Sequence, residues 1–382
     1  MTRCAAAALV ALLVLAASAS AAVTVAPGWP RAAPSGTVLQ GPDGGVVVVS
    51  FEAFHSAVRA YRRDGRLRWR NDQRFGCGNC DDGPQPEALQ PDGTYGPIGV
   101  EGDDFWAVDR LGRRVGGCAG VVGADGSCVT GLSVVRPGTF ERLPGVAGAE
   151  ADGSTWSVAD DRFRWIDDFD VPSMTVADGS GLVYAAFDLP VEAGTGTQRP
   201  GLLMAVDRAT HAIRWTRIGP AEVLAALAPG VLVREGVGVA AYEPDGTLRW
   251  SRPVPAAQRV TPRDTAVDPA RGHVYLGRRG GGGPGVTALD AATGAQIWET
   301  RPSDRARLLS VGRGGRVYVA IDASGRRAVR ALRFRTGVTA WERRTRLPVR
   351  GARELASGRV AVSAGNEFAP LPSDRLTVLI PG

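Results

Sequence analysis

The chain has 382 residues, with 45 Lys plus Arg against 39 Asp plus Glu and a formal net charge of +6. All of the basic residues are arginine, and no stretch interleaves them with aromatics as a nucleic-acid surface does, so no nucleic-acid partner is expected. The 51 Gly and 26 Pro supply turns and Val, Ala and Leu supply apolar runs. No helical period is sustained beyond the N-terminus, which points to an all-β chain.

From the start, residues 1–22 read as a secretory signal peptide: Arg3 is the positive start, residues 5–17 are apolar, and Ala19-Ser20-Ala21 offers small residues for cleavage before Ala22. An uncleaved anchor is the alternative. Cys4 precedes the apolar run and so is not placed as a lipid-modified N-terminal cysteine. No other segment is long enough to span a bilayer. Residues 23–382 are therefore expected to form one exported, soluble domain, a monomer.

A repeated phrase then organises the chain. GVVVVS begins at Gly45, GLVYAA at Gly181, GVLVRE at Gly230, GHVYLG at Gly272, GRVYVA at Gly315 and GRVAVS at Gly358, and the last three steps are 42, 43 and 43 residues. Each of the first five is followed by a second phrase ending in Trp69, Trp215, Trp250, Trp298 or Trp341. Gly93 opens a poorer copy with Gly117 where Trp is expected, and Asp125 and Asp152 start shortened hairpins before Gly181. A period in the forties made only of short strands is what radial sheet repeats show, since a single blade cannot cover both of its faces.

The expectation is an all-β propeller of about eight four-stranded blades, with seven as the alternative count. The last repeat stops at Gly382 without a Trp-bearing strand, while Pro27-Gly28-Trp29-Pro30 precedes the first blade. An N-terminal strand is thus expected to complete the last blade and close the ring. Trp69, Trp215, Trp250, Trp298 and Trp341 are assigned to packing between blades, because a large flat ring repeated once per unit fills a recurring wedge. Asp64-Gly65, Asp245-Gly246 and Thr293-Gly294 are read as hairpin turns needing positive φ, and His211, in the place of Gly294, as a left-handed turn residue.

Four cysteines follow the signal: Cys77, Cys80, Cys118 and Cys128. An even number in an exported chain points to disulfides. Either Cys77–Cys80 with Cys118–Cys128, or a crossed arrangement joining the two loops, satisfies proximity. Cys77-Gly-Asn-Cys80 is also weighed as a redox dithiol, half a zinc site or a haem anchor; Asp81 rather than His follows it, which excludes the usual c-type haem attachment, and no helix start is at hand to activate a thiol. Asp81-Asp82, Asp103-Asp104, Asp160-Asp161 and Asp167-Asp168 lack the alternating spacing of a calcium loop and read as solvated turns. With His55, His211 and His273 as the whole histidine set, a hydrolytic triad has no support.

GHVYLG and VTALDAATGAQIW resemble the repeat of pyrroloquinoline-quinone-type propellers, Gly-x-Val-Tyr-Val followed by Leu-Tyr-Ala-Leu-Asp-x-x-Thr-Gly-x-x-x-Trp. The resemblance is strongest from Gly230 to Trp341. It implies either a quinoprotein dehydrogenase of alcohols or sugars, or a cofactor-free binding propeller. For the enzymes it implies adjacent cysteines against the quinone, a Trp floor, calcium held by Glu and Asn, and an Asp base. No two cysteines are adjacent here, and none of those ligands is matched, so no catalytic, cofactor-binding or metal residue is assigned and no cofactor is expected.

The function expected is that of an exported, non-catalytic binding or scaffold module, with a quinone-dependent dehydrogenase as the alternative. Residues 301–359 hold sixteen arginines against four acids, so the partner expected is a protein or an anionic cell-envelope polymer.

Overall fold

A computed structural model of the chain describes residues 23–52, 55–74, 104–116, 180–188, 201–207, 212–254, 264–278, 285–300, 305–323, 325–365 and 374–381, with short strand segments between 88 and 177 and residues 210, 260 and 261. Residues 1–22, Cys77, Cys80, Cys118 and His211 lie outside these residues.

The described residues form antiparallel sheets in which sequential strands are neighbours. The first blade pairs Thr37–Gln40, Val46–Glu52, His55–Tyr61 and Leu67–Arg74 in that order. The second uses Ala88–Leu89, Tyr95–Glu101, Asp104–Val108 and Arg114–Gly116, and the third Val121–Val122, Cys128–Val129, Ser133–Arg136 and Thr139–Arg142. Ala147–Ala149 and Thr155–Ser157 make a separate hairpin.

A seven-stranded sheet follows, from Thr175–Ala177 to Leu248–Pro253. It is two blades sharing one long strand, Ile213–Ala226: its first half pairs with Gly201–Asp207, and its second half pairs with Val231–Glu235. Gly219, at φ 130, lets the chain turn from the outside of the fourth blade to the inside of the fifth, and register shifts after Pro220 and Val223 absorb the change of course. The sixth blade is Thr265–Asp268, His273–Arg278, Gly285–Asp290 and Gln296–Glu299, and the seventh Ala306–Val311, Arg316–Ala323, Arg326–Arg333 and Thr339–Arg344. Counting the last blade below, the described residues contain eight such units, the last with the short segment Arg31–Ala32 as a fifth strand.

The last blade takes Val349–Glu354, Val360–Ala364 and Arg375–Pro381, and its outer strand comes from the other end of the chain: Val23, Thr24 and Val25 pair with Pro381, Ile380 and Leu379. The last blade also meets the first. The Gly36 amide donates to Ser363 Oγ at 3.0 Å, the Ala356 amide donates to Gln40 Oε1 at 2.9 Å, and Leu355 packs with Val46 and Val48.

The Val-rich phrases form the second strand of each blade, which is covered by a neighbouring blade on each side. Val46, Val47, Val48 and Val49 are all buried, as are Val317, Tyr318 and Val319. Such strands read as continuous apolar runs rather than alternations, because neither face meets water. The first strands of successive blades touch one another around the axis, so the turns after them form the rim of one end of the ring.

Candidate functional site

Each repeat tryptophan stands third in its blade's outer strand. Its ring lies over a glycine in the turn of the following blade: a Cβ on Gly112, Gly246, Gly294 or Gly337 would come within 3.0 Å of Trp69, Trp215, Trp250 or Trp298. The indole N–H then donates to a carbonyl of the same turn. Trp69 reaches Arg110 O at 3.0 Å, Trp215 reaches Pro244 O at 2.8 Å, Trp250 reaches Ala291 O at 2.9 Å, and Trp298 reaches Phe334 O. Glycine is required at these turns both for a positive φ, +70° at Gly294, and for the flat face it offers the ring.

Trp341 breaks the series. It is fully buried beside Val23 and Val25, and its N–H has no acceptor among the described residues. In the last blade the strand that should turn continues pairing to Pro381 against Val23 instead. Trp29 completes the ring of contacts from the N-terminal segment, 6.0 Å from Tyr61 with its N–H directed to Arg63 O at 3.5 Å. The tyrosines of the Gly-x-Val-Tyr phrase back the same rings: Tyr184, Tyr275 and Tyr318 lie 6.0, 5.8 and 5.9 Å from Trp215, Trp298 and Trp341.

The rim formed by the turns after the first strands carries charge that sequence reading did not single out. Asp268, buried at the end of its strand, accepts from Arg271 at 2.8 Å, and Arg271 also donates to the Arg313 carbonyl at 2.9 Å. Glu354, at the end of the last blade's first strand, accepts from the Tyr318 hydroxyl at 2.8 Å and from the Gly314 amide at 3.3 Å. Burial, then the bond to Glu354, pushes the Tyr318 hydroxyl well above the ordinary phenol range. Tyr318 therefore acts as a neutral donor to the carboxylate. Asp43 pairs with Arg68 at 2.7 Å.

Further along the first strands, side chains of the seventh blade cap carbonyls of the last. Arg307 donates to Val349 O at 2.7 Å and Ser310 donates to Ala352 O at 2.5 Å. Such caps satisfy the open edge that every first strand turns toward the axis.

The cysteines give no site. Cys128 lies in a strand paired with Val121–Val122, so the hairpin expected there is present, and Cys77, Cys80 and Cys118 lie outside the described residues. Of the acidic pairs, Asp104 opens a strand. His273 Nδ1 lies 3.2 Å from the Tyr275 hydroxyl.

A family model described as outer membrane protein assembly factor BamB matches residues 235–381. The matched stretch holds the clearest Gly-x-Val-Tyr and Trp phrases, and those residues make the interblade contacts described above. Residues 235–381 thus carry the repeat of that family, and the chain as a whole has the β-propeller fold.

Solved propellers share the architecture of this chain. The quinohemoprotein alcohol dehydrogenase of Comamonas testosteroni aligns with 94% of this chain and 76% of its own length, at 13% identity and a TM-score of 0.57. The Pan2 WD40 domain of Neurospora crassa aligns with 94% of this chain and 95% of its own, at 9% identity and a TM-score of 0.51. At such identities the likeness concerns the fold. A search of curated proteins found no match.

The quinone and calcium of quinoprotein relatives can be tested against this rim. Calcium takes six to eight oxygens, whereas Asp268, Glu354 and Asp43 are each committed to a protein donor. No group of three or more His, Cys, Asp or Glu able to hold a metal occurs among the described residues. The donor set described here does not fit a calcium-bound quinone.

Proposed function

We propose that this PQQ-like propeller is an exported, non-catalytic binding module whose arginine-rich sector, the seventh and last blades, takes an anionic polymer of the cell envelope. The observation that carries the reading is the charge account of that sector. Its partly exposed acids are engaged within the protein, Asp322 with Arg327 at 3.6 Å, Glu342 with Arg326 and Arg330 at 2.6 and 2.9 Å, and Glu354 with Tyr318, and Asp374 is fully buried. Arg305, Arg343, Arg344 and Arg346 are exposed and have no carboxylate partner among the described residues. A cluster of exposed guanidinium groups without counter-charges makes a positive field that recruits polyanions. Export follows from the signal-like segment at residues 1–22.

The test is retention of the purified chain on an anionic polymer as salt is raised. Screening shortens the reach of exposed charges to about 8 Å at physiological salt, so retention is expected to fall steeply with ionic strength. Exposed ion pairs contribute about 0.2–1 kcal/mol each. The triple change Arg343→Gln, Arg344→Gln and Arg346→Gln is therefore expected to weaken binding between about threefold and a hundredfold. Salt-independent retention would overturn the reading. So would a tightly held quinone with dye reduction on alcohols or sugars when quinone and calcium are supplied.

A further inference from the structure

Antiparallel strands taken in chain order put the turn between the first and second strands, and the turn between the third and fourth, at one end of every blade. Hydrogen bonds tie the two turns together there: the Ala291 amide donates to Gly272 O at 2.8 Å in the sixth blade, and the Phe334 amide donates to Gly315 O at 3.1 Å in the seventh. The opposite end carries the turns between second and third strands and the links from blade to blade. Arg305 precedes a first strand, and Arg343, Arg344 and Arg346 finish or follow a fourth, so the polymer-binding arginines lie at that opposite end.

Exposed apolar side chains gather at the first of these ends. Leu67 and Leu248 open the outer strands of the first and fifth blades, Ile297 stands second in that of the sixth, and Leu111 and Val338 stand in the turns before those of the second and seventh. They are between 36 and 61% exposed. Val237, the other large apolar side chain so exposed among the described residues, lies between Val231–Glu235 and Gly238–Tyr242, at the opposite end. An isolated apolar side chain on a surface is ordinary. Five on one end, each on a different blade, are a feature of that end.

Guanidinium groups accompany them. Arg62 and Arg63 share the turn of Leu67, Arg110 adjoins Leu111, and Arg333 and Arg335 precede Val338; all five are exposed and have no carboxylate partner among the described residues. Nearby acids are taken by other arginines: Asp64 by Arg66 at 3.7 Å, Asp109 by Arg113 at 2.7 Å and Glu243 by Arg249 at 2.6 Å. The chain also enters the ring here. Val23 pairs with Pro381, the last residue of a third strand, so residue 22 joins the ring at this end, and ahead of it in the sequence lies the apolar stretch 5–17 with Arg3 before it. A leader of that kind is handed to a membrane during export.

We propose that this end of the ring is a docking surface for an anionic lipid bilayer, with the exposed apolar side chains set among the acyl chains and the arginines at the headgroups. The surface is separate from the polymer-binding one and shares none of its residues, so a ring docked in this way turns its polymer-binding arginines away from the membrane. Apolar side chains flanked by cations are what a bilayer interface takes up, and anionic headgroups add attraction for each arginine near them. Arginine stems bury while their heads stay in water. A protein partner wants its anchors clustered at the centre of an interface, whereas single side chains spread over five blades suit a surface that is continuous and fluid.

Sedimentation of the exported chain, beginning at Ala22, with vesicles of phosphatidylglycerol and phosphatidylcholine in equal parts tests the docking. Affinity is expected to fall about tenfold or more on phosphatidylcholine alone. Arg62→Gln and Arg63→Gln should each weaken it about fivefold, and Leu111→Ser with Val338→Ser about tenfold together. Val338→Trp, which adds apolar surface at an exposed place, should tighten binding, while Val237→Ser and Val237→Trp at the other end should leave it unchanged. Parent-like melting temperatures separate lost docking from lost folding, and the gain in Val338→Trp reads the surface without relying on any loss.

Equal binding to both kinds of vesicle, no binding, or binding indifferent to Leu111 and Val338 would overturn the proposal. So would self-association without vesicles that the Leu111→Ser, Val338→Ser variant abolishes, since the end would then meet a second copy. Vesicle binding lost in the Arg343→Gln, Arg344→Gln, Arg346→Gln variant and kept in the apolar one overturns the docking and leaves the polyanion reading standing. Docking that survives that triple change, in a chain that no anionic polymer retains, sinks the polyanion reading and leaves the docking.

Discussion

Gly294→Ala probes the contact that joins one blade to the next. At φ +70° an alanine carries the left-handed penalty of about 1–2 kcal/mol. Its Cβ would also lie 2.7 Å from Cδ2 and Cε3 of Trp250. The ring must then move, straining a packed wedge at a cost of about 1–3 kcal/mol. The Trp250 bond to Ala291 O, 2.9 Å long, is stretched with it, for about a further 1 kcal/mol. The sum is about 3–6 kcal/mol. Gly272→Ala supplies the control, since φ there is +65° but nothing lies within 4 Å of its Cβ position. Only the conformational penalty of about 1–2 kcal/mol is expected at that site. Urea unfolding followed by tryptophan fluorescence and by circular dichroism measures both variants. Equal destabilisation of the two, within about 0.5 kcal/mol, would show that the indole-on-glycine contact contributes nothing beyond backbone conformation.

Other consequences follow from the same contacts. Trp250→Phe loses the hydrogen bond to Ala291 O, while Trp341→Phe removes a buried N–H without an acceptor among the described residues, so the Trp341 variant is expected to be the less destabilised by about 1 kcal/mol or more in urea midpoints converted to free energy. The opposite order would refute the assignment of Trp341 as unpaired. Burial raises the pKa of Glu342, but hydrogen bonds from Arg326 and Arg330 and their charges outweigh it and hold the carboxyl below the ordinary glutamate range. The folded state therefore releases this proton more readily than the unfolded one, and the stabilisation is complete above the unfolded value and lost as pH falls through the folded one. Glu342→Gln, which removes the carboxylate that Arg326 and the buried Arg330 both pair with, is expected to cost about 3 kcal/mol at neutral pH. That difference from the parent should shrink below about pH 4. A gap that stays constant down to strongly acid pH would contradict the ion-pair argument.

Much of this architecture was legible because its strongest constraints are local. Each Gly-x-Val-Tyr phrase begins where a turn needs positive φ, and each runs into a strand shielded on both faces, so both the punctuation and the apolar run survive in the residues themselves. The missing outer strand of the last repeat and the unused Trp29 segment likewise foretold that Val23–Val25 would pair with Arg375–Pro381. The long strand Ile213–Ala226 was not legible: Gly219-Pro220 reads as a break, and only the pairing of its two halves with different blades carries the strand through. The rim cluster was equally hidden, because Tyr318 and Glu354 belong to different repeats and look like a core tyrosine and an exposed acid until the blades stack.

By itself the amino-acid order determined the period, the turn positions, the tryptophan wedge and the use of the N-terminus, all of which depend on backbone conformation or on burial repeated at fixed spacing. Tertiary structure alone decided which polar groups meet between blades, such as the Tyr318 hydroxyl with Glu354 and the Arg271 guanidinium with the Arg313 carbonyl. Groups in different repeats are placed by how neighbouring sheets abut around the axis, and a side chain's partner across that junction is set by distance in space, which no spacing along the chain encodes.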